Sequence, residues 1–239
     1  QQRSSAASDV YKRQKLLRAL RPIGSDKVDD YVVRGQYTNG WIDGKPVVGY
    51  LEEEGAENSN SNNETFVAIK VEIDNWRWAG VPFYMRTGKR LNAKHTEIII
   101  AYKESSHSII ADKPLDSSNK LVIRLQPNEG IELEMISKKQ SLKQRLSTEK
   151  RVLNLDFHDS DSDKRVVDAY ERLFLELIKG DQWLFVSREE IETSWDWCDQ
   201  IIDAWNKNKS PTRLYSAGSG GPAKAEVLIE SDGRSWHGQ

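Results

Sequence analysis

The sequence predicts an α+β fold, a large and mainly antiparallel sheet with helices packed on one face. Two observations lead to it. Between residues 31 and 157, short runs of strand-like residues follow one another at hairpin-length spacing, whereas parallel pairing would need crossovers of a dozen or more residues. From about residue 162 the apolar period becomes helical, and two amphipathic helices are enough to cover one face of a sheet.

In chain order, residues 1–14 are small and polar, with neither a helical nor a strand period, and are expected to be a disordered leader or a sequencing artefact. The heptamer from Lys15 to Arg21, ended by Pro22, reads as the tail of a longer helix, so further sequence is expected before it. Tyr31 to Tyr37 is strand-like, and Asn39-Gly40 and Asp43-Gly44 supply turn chemistry. The acidic triplet Glu52-Glu53-Glu54 reads as an exposed loop edge, with a metal or a basic partner as the other use for it. Thr65 to Asp74 alternates, with Val67, Ile69, Val71 and Ile73 on the expected buried side.

Gly80 to Met85, Thr96 to Tyr102, Lys120 to Gln126, Ile131 to Ile136 and Val152 to Phe157 are further strands. A helix capped by Asp161 or Ser162 carries the stripe Val166, Val167, Tyr170, Leu173, Phe174 and Leu177, and stops at Gly180. A second opens with the capping box Ser187 to Glu190 and carries Ile191, Trp195, Cys198, Ile202 and Trp205. After Lys209 the chain reads as a glycine- and serine-rich loop.

Composition bounds the function. With 239 residues, 37% of them hydrophobic, the chain is long enough to bury a substantial core. The 35 basic side chains nearly balance the 37 acidic ones, so no global field recruits nucleic acid or an anionic membrane, and an anion site must be a local concentration of charge. The single cysteine, Cys198, excludes an intrachain disulfide framework, and no apolar run approaches the roughly 18 residues of a membrane span, which favours a cytoplasmic protein.

That local concentration is Arg86-Thr87-Gly88-Lys89-Arg90-Leu91-Asn92-Ala93-Lys94, with a glycine among four cations and a strand on either side. Gly88 is expected to adopt a conformation that exposes its neighbours' amides, and Lys89 and Lys94 to supply point charges on flexible stems suited to phosphate oxygens. A solvated hairpin turn accounts for the same residues. No GxGxxG fingerprint, Walker loop, HExxH or paired CxxC occurs, and His95, His107, His158 and His237 are too scattered to mark a metal site or a triad. Residue chemistry alone gives no catalytic group.

Several ordered runs carry a resemblance. Val33-Arg34-Gly35-Gln36-Tyr37, Gly49 to Gly55, Asp74 to Phe83, Arg86-Thr87-Gly88-Lys89, Arg124 to Gly130, Asp168 to Leu173 and Asp232-Gly233-Arg234-Ser235-Trp236 together resemble the C-terminal domain of glucose-6-phosphate dehydrogenase in its bacterial style, over residues 15–239. The resemblance implies an oxidation of C1 of glucose 6-phosphate to 6-phosphogluconolactone with NADP, the first step of the oxidative pentose phosphate pathway. Lys89 and Lys94 match the family's substrate-binding basic pair. The large sheet is expected to form the interface of a homodimer or tetramer. The Rossmann domain that holds most of NADP, and the general-base histidine, belong upstream of residue 15, so this chain alone is expected to be inactive and His95 does not fill that role. Some animal members hold a second NADP close to the positions of Arg86, Arg124 and Trp236. The sequence departs from the family at Gly220, where a tryptophan is usual. A non-catalytic phosphosugar-binding or oligomerisation module is the alternative function.

Overall fold

The computed structural model describes residues 2–56, 60–103, 118–138, 148–157, 169–182 and 184–238. Its elements, in order, are α1 (Gln2–Leu17), α2 (Val28–Tyr31), β1 (Val32–Thr38), β2 (Gly40–Ile42), β3 (Lys45–Val47), β4 (Phe66–Val71), β5 (Phe83–Gly88), β6 (Thr96–Ala101), β7 (Lys120–Gln126), β8 (Gly130–Lys138), β9 (Thr148–Asp156), α3 (Ala169–Lys179), α4 (Arg188–Asn208), β10 (Arg213–Ser216) and α5 (Ala223–Glu230). They fall into two compact units, Gln1–Asn92 with Arg165–Ser235, and Ala93–Lys164 with Trp236–Gln239.

The first unit is built on a four-stranded sheet in the order β10-β1-β4-β5, antiparallel except where β1 and β10 pair in parallel. The parallel partners, Gly35 to Thr38 and Arg213 to Ser216, lie far apart in sequence, as a parallel pair requires. Residues opposed across the ladders share a face. On one face, Val67, Ile69 and Phe83 pack against a cluster of Ile23, Val28, Val32, Val71, Trp197, Ile201, Ala204 and Trp205, so α4 covers this side.

The alternation in β4 predicts a polar second side, yet Phe66 and Ala68 are as buried as Val71. The cover is α5, in a stretch whose sequence reads as a loop-like tail. Its Ala225, Leu228 and Ile229 are buried, and Arg86 of β5 pairs with Glu226. This sheet is therefore covered on both faces, where one covered face was expected.

The ends of the helical part differ from expectation in two ways. Residues 2–17 form α1, where an irregular leader was expected up to residue 14. Arg13 pairs with Glu190 at 2.8 Å, and Gln14 donates to Ser187 at 3.4 Å, so this helix docks on the cap of α4. In α4 itself the capping box is present, with Ser187 accepting from the Glu190 amide, but the buried stripe is Trp197, Ile201, Ala204 and Trp205. Of the apolar set read from the sequence, Trp205 is buried and Cys198 packs against the core, whereas Ile191, Trp195 and Ile202 are exposed. Both stripes are apolar in this helix, so the period alone could not choose between them. The expected cap and first turn of the helix before it, at residues 161–167, lie outside the described residues. Tyr170, Phe174 and Leu177 of α3 are exposed.

The second unit is a purely antiparallel sheet, β6-β7-β8-β9. Register separates an apolar face from a mixed one, where Val122 is buried beside charged residues. One face carries the rows Ile98–Ile123–Ile131–Leu155 and Ile100–Leu121–Leu133–Leu153. The other carries Glu97, Arg124, Asp156, Glu134 and Lys150, with ion pairs from Arg124 to Asp156 and from Lys150 to Glu134. The antiparallel character expected of one large sheet is thus shared, among the described residues, between two four-stranded sheets and the two-stranded β2-β3 pair.

Candidate functional site

β5 delivers the basic stretch. Its last residue, Gly88, stands opposite Phe66 of β4. A Cβ on Gly88 would lie 2.7 Å from Phe66 Cδ2 and 3.2 Å from Leu91, so glycine is required here by close approach. The expectation that Gly88 supplies an unusual backbone conformation is corrected: the left-handed residue is Arg90, with φ +53°. The chain turns one residue after Lys89 rather than before it.

Lys89 is held by its backbone on both sides. Its amide donates to the Thr65 carbonyl at 2.8 Å, and its carbonyl accepts the Tyr215 hydroxyl at 2.8 Å. Beyond it, the Gly218 amide donates to the Arg90 carbonyl at 2.7 Å, and the Asn92 amide donates to the Ser219 carbonyl at 3.0 Å. Tyr215 is buried, which pushes its hydroxyl pKa up. It makes ring contacts with Phe66 and Tyr37. Segment 215–219 therefore acts as a backing strip for the turn, although nothing in its glycine- and serine-rich sequence marks it as part of a site.

The structure sorts the cations of the stretch. Arg86 faces Glu226 at 3.8 Å. Arg90 is paired with Glu53, Nη2 to Oε1 at 2.8 Å, so the acidic triplet finds its basic partner within the chain. Hydrogen bonding from Arg90, then from Tyr37, lowers the Glu53 pKa, and the same pair raises that of Arg90. Tyr37 is pushed up to about 12, first by burial and then by Glu53. Lys89 is exposed, and among the described residues no ion pair engages its ammonium.

Lys94 is exposed as well and belongs to the second unit, just before β6. The two lysines are thus placed each within its own unit. In that unit His95 faces Glu97 at 3.5 Å, and His237 faces the same carboxylate at 3.1 Å. Of the positions near which a second NADP was considered, Arg86 and Arg124 already face carboxylates, and Trp236 is buried. Among the described residues no cluster of three or more His, Cys, Asp or Glu is arranged to hold a metal.

An exposed ammonium on a fixed backbone, beside a neutralised neighbour, is suited to charge-assisted hydrogen bonds with an oxyanion. It offers no proton acceptor and no redox group.

Comparison with known proteins adds the context. The family model for the glucose-6-phosphate dehydrogenase C-terminal domain matches residues 2–237. Glucose-6-phosphate 1-dehydrogenases of Dickeya dadantii and Rhizobium meliloti are 49% and 46% identical, each over 93% of this chain and 45% of their own length. A solved glucose-6-phosphate dehydrogenase in complex with its substrate glucose-6-phosphate superposes with a TM-score of 0.78 at 31% identity, over 93% of this chain and 44% of that one. The enzyme from Mycobacterium avium gives a TM-score of 0.71 at 30% identity, over 95% of this chain and 43% of that one. The chain spans a little under half the length of the relatives it matches.

Proposed function

The chain belongs to the glucose-6-phosphate dehydrogenase C-terminal domain family, and from that premise we propose that it is the sugar-phosphate-binding and subunit-pairing part of an enzyme that oxidises C1 of glucose 6-phosphate to 6-phosphogluconolactone, passing hydride to NADP. The observation that carries the reading is Lys89, an exposed cation with its own amide and carbonyl tied down and its neighbour Arg90 already paired. The phosphate of the substrate sits on C6 and the reacting carbon is C1, so a contact at Lys89 works at a distance, fixing the sugar for chemistry done elsewhere. Lys94 is the second phosphate-binding group in this reading.

NADP supplies the hydride acceptor when bound. The relatives are about twice as long as this chain, and in this reading the nicotinamide and the general base are assigned to the part of them that the chain does not span. What this chain contributes is binding and orientation. Relatives that are dehydrogenases give no support to a free-standing, non-catalytic module.

Subunit pairing is assigned to the apolar face of the second unit's sheet. Leu153 and Leu155 on β9 are 60% and 58% exposed in rows that are apolar across all four strands. A continuous apolar sheet face of this kind marks an interaction surface, and a second copy is the partner the family resemblance implies. No helix among the described residues is long and apolar enough to cross a membrane. The part-buried, unpaired Cys198, with its thiol pKa raised by burial, fits a cytoplasmic enzyme.

Titration of glucose 6-phosphate onto the complete enzyme, comparing wild type with Lys89→Ala and Lys94→Ala, tests the site. Each substitution is expected to weaken binding by about tenfold or more, and unchanged affinity in both variants would remove the site.

A further inference from the structure

Arg90 looks at first like another phosphate ligand, one position from Lys89. Its geometry gives it different work. Both Nε and Nη2 of its guanidinium point to a single oxygen, Glu53 Oε1, at 3.2 and 2.8 Å. Beside Glu53 stands Tyr37, which adds to Arg90 in lowering the Glu53 pKa, is buried at 4% exposure and packs edge-on to both Tyr50 and Tyr215. Tyr215 is the residue whose hydroxyl reaches the Lys89 carbonyl.

The backbone of Arg90 is left-handed, a conformation that a residue with a Cβ enters only when its surroundings hold it there. Two holds are present: the Gly218 amide on its carbonyl and Glu53 on its side chain. Arg90 is 46% exposed at the side chain, and an exposed pair of this kind adds little to global stability. Its consequence is local. It fixes the turn that sets where Lys89 points, and it withdraws the Arg90 charge from competition for the same anion.

We propose that Arg90 is a positioning residue for Lys89, held by Glu53 and Tyr37, and that this pair sets the affinity of the basic turn for the phosphate of the sugar substrate. The inference rests on the reading of Lys89 as a phosphate ligand.

The test is steady-state kinetics on the complete enzyme with Arg90→Ala, Arg90→Lys, Glu53→Gln, Lys89→Ala and the pairwise combinations, each checked for an unchanged circular dichroism spectrum. Arg90→Ala is expected to raise the KM for glucose 6-phosphate by about tenfold, with the KM for NADP unchanged and kcat within about twofold. Arg90→Lys restores part of the loss. Glu53→Gln reproduces the effect, and the double variant Glu53→Gln/Arg90→Ala is no worse than either single one. In the Lys89→Ala background, Arg90→Ala adds less than about twofold.

Independent, multiplying effects of Lys89→Ala and Arg90→Ala would overturn positioning and make Arg90 a ligand in its own right. So would a rise in both KM values together, which a merely structural role produces. An unchanged KM in Lys89→Ala itself would instead sink the site reading on which the inference stands.

Discussion

The hydroxyl of Tyr215 donates to the carbonyl oxygen of Lys89 at 2.8 Å, joining a parallel edge strand to the turn that carries this lysine. The same hydroxyl lies 3.2 Å from the Thr65 carbonyl and 3.1 Å from the Thr65 hydroxyl. Removing it leaves polar groups unpaired in a buried place. Tyr215→Phe is expected to lower the unfolding free energy by about 1–2 kcal/mol and to raise the KM for glucose 6-phosphate. Denaturant titration with kinetics on the same preparation checks both, and a variant as stable as wild type would remove Tyr215 from this role.

Packing of α4 gives a second prediction. Ile201 is 2% exposed in the core and Ile202 is 37% exposed beside it. Ile201→Ala is expected to cost about 2–4 kcal/mol, and Ile202→Ala under about 1 kcal/mol. A larger cost at Ile202 than at Ile201 would mean that the helix presents the face read from its sequence.

A third concerns pH. Asp232 accepts a hydrogen bond from the Lys70 ammonium at 2.6 Å and another from the Tyr84 hydroxyl, and these partners, Lys70 first, lower its pKa. A carboxylate with a depressed folded-state pKa stabilises the fold above its ordinary value of about 3.9 and loses that contribution as pH falls through the lower folded value. Asp232→Asn is therefore expected to be less stable than wild type at neutral pH, with the gap closing as pH falls below the ordinary carboxylate value of about 3.9. Thermal unfolding across that range reads it, and a gap that widens toward acid would contradict the assignment.

The exposed apolar rows of the second sheet give a fourth. Leu153→Glu and Leu155→Lys each place a charge on the face proposed to pair two copies, where burying it would be strongly unfavourable. Sedimentation of the complete enzyme is expected to shift toward monomer, whereas an unchanged assembly would move the interface elsewhere.

Strands and their antiparallel order were legible because period two leaves a direct trace: β1, β6 and β7 lie within a residue or two of where alternation puts them. The capping box was legible for the same local reason. What was not legible depends on partners distant in sequence. Glu53 and Arg90 are 37 positions apart, and Tyr215 and Lys89 are 126 apart, so neither pairing has a local signature. Burial of Phe66 and Ala68 was missed because their cover is α5, a short helix behind a glycine-rich approach. Lys89 and Lys94 were named as the substrate-binding pair through family resemblance. The structure adds the support beneath Lys89, with Arg90 in the left-handed conformation and Gly88 held to glycine by the close approach of Phe66.

The central claim is that Lys89 recognises the phosphate of the substrate and nothing nearer the reacting carbon. The most direct measurement compares kcat/KM of wild type and Lys89→Ala on glucose 6-phosphate and on glucose, which lacks the phosphate. Loss of the charge-assisted contact, about 1.5–3 kcal/mol, predicts a fall of roughly 10- to 150-fold on glucose 6-phosphate and less than about twofold on glucose. An equal fall on both substrates, or no fall on either, would contradict it.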